Sequence, residues 1–212
     1  MSYLSIEFAL AFVGFFAAYW GCRRMPSLQN LLLLVASYLF YIKLDWRFAA
    51  ILACYTLVQH ALSRKMLASA HPRRWLQLAL ALAVCNLALF KYFDFFRESA
   101  QAGLHALGIS AMLPALDILM PVGISFYTFQ SVSYLVSVYR KEMAPARLPQ
   151  FALFLVFFPT LLAGPICRAR DLLEQLRSPA LRQAANFDRA LGLIVLALLK
   201  KLWLAGWLAS AW

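Results

Sequence analysis

Charged residues are scarce in this sequence. They occupy 14% of its 212 positions, while apolar residues occupy 64%. An ordinary soluble domain carries about 25% charged residues, so the shortfall argues against a soluble fold. Strict alternation of apolar and polar residues is also missing, which excludes a β-barrel. The four cysteines, Cys22, Cys54, Cys85 and Cys167, form no CxxC pair. Each lies in or beside an apolar run and is expected to behave as a small buried hydrophobe. The three histidines, His60, His71 and His105, show no HxxxH or HxxE spacing, so no metal site is expected. A secretory signal is missing as well, because Arg23 and Arg24 follow the first apolar run instead of preceding it.

What the chain does have is a series of continuous apolar runs, enough for roughly five to seven spans. The net charge is +11, and the basic residues gather in short turns between the runs. Topology and anionic lipid account for that pattern, and no nucleic-acid motif accompanies it. Spans are expected near residues 4–20, 28–42, 48–62, 75–90, 122–139 and 187–212. The loops after spans one and three hold Arg23, Arg24, Arg64, Lys65, Arg73 and Arg74; those after spans two and four hold Lys43, Arg47, Lys91 and Arg97. The bias puts the N-terminus outside. Residues 99–119 carry Gly103, Gly108 and Pro114 and read as an interfacial helix or external loop. Residues 171–183, DLLEQLRSPALRQ, read as an amphipathic surface helix.

The stretch from Pro121 to Arg168 organises the rest. After span five comes an apolar run, residues 151–163, interrupted by Pro159 and followed by Gly164-Pro165. It is short for a full crossing. A full crossing would also leave Arg168, Arg170, Arg177 and Arg182 outside, against the charge rule. A re-entrant segment returns them to the cytoplasm, and such backbone survives at membrane depth only when protein or a water-filled cavity covers it. The fold expected is therefore an all-α polytopic transmembrane helical bundle with a re-entrant or short helix near 151–163.

GISFYTFQSVSYLVSVYR (Gly123 to Arg140) followed by FALFLVFFPTLLAGPICR (Phe151 to Arg168) resembles the membrane-bound O-acyltransferase (MBOAT) family. The similarity is to the branch of bacterial alginate O-acetyltransferases and D-alanine export proteins. NLALFKYFDFF (Asn86 to Phe96) and GLIVLALLKKLWLAGWLA (Gly192 to Ala209) support it. The chain departs at Ser137, where the branch has Asp, and at Ala205-Gly206, where the family commonly has Ala-Asp. The family's catalytic histidine falls in a later tryptophan-, arginine- and histidine-containing motif that none of the three histidines matches. The resemblance implies the N-terminal half of such an enzyme in one 212-residue membrane domain, with no catalytic residue of its own.

The resemblance also implies transfer of an acyl group, usually acetyl, to a hydroxyl of an extracellular polysaccharide such as alginate. The co-substrate is acetyl-CoA or another acyl-thioester; no bound cofactor is expected. Implied partners are the lipid bilayer, the polysaccharide acceptor and other exopolysaccharide-acetylation proteins, at a bacterial inner membrane. Such chemistry needs a base for the hydroxyl and donors for the oxyanion. Tyr127, Gln130 and Ser131, with Ser125 and Thr128, crowd one segment and form either a polar tunnel face or ordinary interhelical hydrogen bonds. Arg168 is either a binder of anionic donor groups or a topology residue. Lys200 and Lys201 carry the same two readings. A non-catalytic scaffold subunit and a transporter fragment remain as alternatives. The re-entrant reading is tested by Arg168→Cys and Arg177→Cys: both thiols label from the cytoplasmic side, and labelling from outside refutes it.

Overall fold

The structure is a computed structural model that describes residues 6–106, 120–161, 168–178 and 186–200, with Trp203 and Trp207. All regular structure among these residues is helical. The chain divides into two units, Met1–Pro179 and Ala180–Trp212. The first holds α1 (Ile6–Gly21), α2 (Pro26–Leu44), α3 (Trp46–Ala68), α4 (Pro72–Lys91), α5 (Phe93–Ala106), α6 (Ile124–Tyr139), α7 (Leu148–Val156), α8 (Phe158–Leu161) and α9 (Ala169–Arg177). The second holds α10 (Phe187–Leu199), and most of the expected last span beyond Lys200, including Lys201, lies outside the described residues.

The helix ends follow local chemistry. Pro26 and Pro72 open α2 and α4, where a missing N–H costs nothing. Asp45 closes α2 and starts α3, its carboxylate accepting from the Arg47 amide at 2.7 Å. Gln150 reaches back to the Arg147 amide at 3.2 Å to cap α7.

By length and composition, α2 and α4 are the two helices among the described residues that are long and apolar enough to cross a membrane. Helices α1 and α6 have 16 described residues each. Helix α3 has 23, but Arg47, Gln59, His60, Arg64 and Lys65 dilute it.

The core mixes apolar and polar residues, and much apolar surface faces outward. Leu28, Leu31, Val35, Leu39 and Ile42 of α2 are exposed, while Gln29 and Ser37 on the same helix are buried. Thr56, Gln59 and Ser63 of α3 are buried too, beside exposed Leu57 and Val58. Water would penalise that much outward apolar surface, and lipid would not. On α4, Ala79 and Ala83 are buried one turn apart and let the backbones approach closely; Gln59 Nε2 donates to the Ala79 carbonyl across that contact at 3.1 Å. The cysteine expectation needs correction. Cys54 and Cys85 are exposed and Cys22 half-buried, since a thiol is apolar enough to face outward from such a bundle. Cys167 lies outside the described residues.

Helix α7 exposes little beyond its first turn, where Pro149 is exposed and Leu148 and Gln150 are half-buried. Its nine residues rise only roughly 13 Å, and Phe151 through Val156 are all buried. Helices α2, α3, α6 and α9 surround it. It stops before Phe157 because Pro159 has no N–H for the Leu155 carbonyl and restricts Phe158. The expected Gly164-Pro165 break lies outside the described residues. Beyond the interruption, the amides of Thr160 and Leu161 both donate to the Phe157 carbonyl at 3.0 Å. The Thr160 hydroxyl donates to the same oxygen at 3.1 Å, and the Phe158 amide points to Ser37 Oγ at 3.4 Å. The Phe158 ring packs on Phe15 of α1 and Phe40 of α2.

The start of α6 docks onto the end of α8. Gly123 has φ +79°, and a Cβ there would sit 2.5 Å from the Leu161 carbonyl oxygen. Both facts require glycine. Tyr41 of α2 holds the same entry by donating to the Val122 carbonyl. Gly123→Ala is therefore expected to cost about 1–3 kcal/mol, measured as loss of thermal stability in detergent. Gly14→Ala on α1, where a Cβ meets nothing within 4 Å, is the control and gains up to about 1 kcal/mol.

Candidate functional site

The polar residues of α6 do not project into open space. Tyr127, Gln130 and Ser131 are fully buried and are brought together with residues from three other helices. Ser131 donates to the Thr128 carbonyl at 2.8 Å, so its remaining lone pairs accept from the Tyr55 hydroxyl of α3. The rings of Tyr55 and Tyr127 lie 5.1 Å apart. Asn86 of α4 donates through Nδ2 to the Tyr127 hydroxyl at 3.4 Å. Gln130 Nε2 reaches Thr160 Oγ1 of α8 at 3.4 Å, which couples this layer to the interruption after α7. Buried Oε1 atoms of Gln59 and Gln130 have no hydrogen-bond partner among the described residues, leaving two acceptors inside the layer.

Arg168 lies elsewhere. It precedes α9 and lines a cleft of about 560 Å³ with Ser133, Ser137, Arg140, Arg170 and Asp171. This is the C-terminal end of α6, nine residues and roughly 13 Å of helix rise beyond Ser131. Arg140 lies 3.7 Å from Glu142, and Arg170 pairs with Glu174 at 3.0 Å. Arg168 has no ion-pair partner among the described residues. Glu142 and Asp171 also line the cleft, so with Glu174 three carboxylates face three guanidiniums, and Arg168 is the one left to meet a small anion. The turn leading into α7 is fixed beside it: the Ala146 amide donates to the Tyr134 hydroxyl at 3.0 Å, and Arg177 donates to the Ala144 carbonyl at 2.7 Å.

The histidines stay apart from both features. His60 packs its ring on Phe151, 6.0 Å between centroids, and His71 and His105 are exposed. Among the described residues no three His, Cys, Asp or Glu side chains gather as metal ligands.

Residues 118–211 match the family model described as MBOAT, membrane-bound O-acyltransferase family. The "Probable alginate O-acetylase AlgI" of Azotobacter vinelandii is 38% identical over 152 residues, covering 69% of this chain and 30% of the relative. The protein of the same name from Pseudomonas aeruginosa is also 38% identical over 152 residues, 69% of this chain and 29% of that one. A "Peptidoglycan O-acetyltransferase" of Helicobacter pylori is 28% identical over 217 aligned positions, 89% of this chain and 40% of the relative. The chain thus spans only about three- to four-tenths of the length of these curated relatives. No solved structure matches it.

The MBOAT match contains Tyr127, Gln130, Ser131 and Arg168. Sequence reasoning missed their partners Tyr55, Asn86 and Thr160. The available signal was a set of lone polar residues inside apolar helices, with Tyr55 and Gln59 one turn apart on α3 and Asn86 inside α4. Such residues usually bond across helices. A double-mutant cycle of Tyr55→Phe and Ser131→Ala is expected to give a coupling of about 0.6 kcal/mol, with roughly 1.7 kcal/mol as an upper bound. Strict additivity of the two unfolding free energies would remove the bond from the account.

Proposed function

We propose that this chain forms part of an MBOAT-type enzyme that transfers an acyl group, acetyl by preference, from a thioester donor to hydroxyls of an extracellular polysaccharide. The sequence match to two kinds of polysaccharide-directed O-acetylases supports the reaction class. The observation that carries the reading is structural: α7 is half the length of a crossing and its Phe151–Val156 stretch is enclosed by protein, as a re-entrant segment must be. On this reading the bundle is polytopic in a bacterial inner membrane, its N-terminus outside and the arginine cleft at the cytoplasmic face. The acceptor hydroxyl attacks the thioester carbonyl, the thiol leaves, and a base takes the hydroxyl proton. Arg168, Arg140 and Arg170 meet phosphate groups of the donor, acetyl-CoA or another phosphate-bearing acyl-thioester. The layer of Tyr127, Gln130 and Ser131 holds α6 against α3, α4 and α8, so that the passage between donor and acceptor keeps its shape.

A second reading has one observation behind it. No histidine reaches the polar layer or the cleft among the described residues. The chain then acts as a non-catalytic subunit, docked to other exopolysaccharide-acetylation proteins that supply the base.

Both readings predict that deleting the coding sequence from its native host lowers the O-acetyl content of the extracellular polysaccharide, read from the acetyl methyl signal by NMR. They differ for Arg168→Gln in membranes of that host. Donor recognition predicts that KM for the thioester rises about tenfold, from the loss of one charge-assisted hydrogen bond, with kcat unchanged. The subunit reading predicts no change in either constant. Unaltered O-acetylation after deletion overturns both.

A further inference from the structure

An open groove runs between α3 and α4 on the outward side of the polar layer. It has a volume of about 500 Å³ and is lined by Ala50, Cys54, Val58, Leu82, Cys85 and Leu89, with Tyr55, Gln59 and Asn86 at its floor. That volume lies within the roughly 300–1,000 Å³ typical of small-molecule sites. The walls are apolar, and Cys54, Val58, Leu82, Cys85 and Leu89 are exposed along them. A bilayer tail alone would fill such a space without answering its polar floor.

The floor is selective because of Asn86. Tyr55 and Gln59 are buried beneath the surface, and Tyr55 already bonds to Ser131. Asn86 is only half-buried. Its Nδ2 is used by Tyr127, while its Oδ1 has no hydrogen-bond partner among the described residues. An amide oxygen offered to an apolar groove is unfavourable until a donor reaches it. Gln59 Oε1 is also unpartnered but fully buried, so the groove offers a long apolar contact and one accessible acceptor, Asn86 Oδ1.

We infer that the α3–α4 groove is a binding site for a single-chain lipid alcohol, whose hydrocarbon lies along Cys54, Val58, Leu82 and Leu89 and whose hydroxyl donates to Asn86 Oδ1. The inference goes beyond the acyl-transfer reading and does not depend on it. Two cysteines on the groove walls make it directly measurable. The protein is reconstituted into phosphatidylcholine nanodiscs and treated with a membrane-permeant maleimide, and labelling of each thiol is followed by mass spectrometry. 1-Hexadecanol is expected to slow modification of Cys54 and Cys85 about threefold more than hexadecane does, the size of one hydrogen bond in a membrane. Cys22, which does not line the groove, is unaffected. Asn86→Leu abolishes the advantage of the alcohol, and the wild-type comparison stands on its own if that variant fails to fold. Equal protection by alcohol and alkane overturns the proposal in favour of a plain lipid tail. Protection by neither probe overturns it as well, and so does occlusion of both thiols in the native membrane by another helix.

Discussion

A helix interrupted in the middle of an apolar bundle must find partners for its backbone on the protein itself. That constraint governs residues 148–161. Helix α7 ends because Pro159 cannot continue it, and the Phe157 carbonyl then collects three donors, the amides of Thr160 and Leu161 and the Thr160 hydroxyl. Side chains from α2 and α6, Ser37 and Gln130, reach the same few residues. Aromatic rings from α1 and α2 close over Phe158. The surrounding helices are thus fixed by what the interruption needs, and Gly123 marks where α6 must come closest.

The polar layer follows from the same logic. In an environment without water, a side-chain hydroxyl or amide is worth placing only where another helix answers it. Ser131 is answered by Tyr55, Tyr127 by Asn86 and Gln130 by Thr160. The result is a bundle whose core holds hydrogen-bonded polar groups among apolar ones, while leucines and valines also cover its outward faces. Arg140, Arg168 and Arg170 lie outside that layer, where α6 ends and α9 begins. Separation of a neutral, hydrogen-bonded middle from a charged end that holds Arg168 matches what the proposed chemistry requires, a shaped passage with an anion-binding group at its mouth.

Much of this was legible in the sequence. Helix positions followed from the lengths of the apolar runs and from the basic turns between them, Arg23-Arg24 among them. The importance of residues 121–168 followed from the short run 151–163 and its charge conflict. Two things were not legible. The break at Pro159 was visible in the sequence, but its placement at Phe157 was not, because proline acts on the residues before it. Partners separated by tens of residues, such as Tyr55 and Ser131, share no local pattern, since only packing brings α3 and α6 together. The cysteines misled for a related reason: burial inside an apolar helix and burial inside the protein are different things when the outward face is also apolar.

The most direct test of the central claim is amide hydrogen exchange across residues 157–161 of the protein in nanodiscs. Enclosure by α1, α2 and α6 predicts exchange as slow as in α7 itself, with Ser37→Ala accelerating it at Phe158. Exchange as fast as that of an exposed turn, unchanged by Ser37→Ala, would contradict the account.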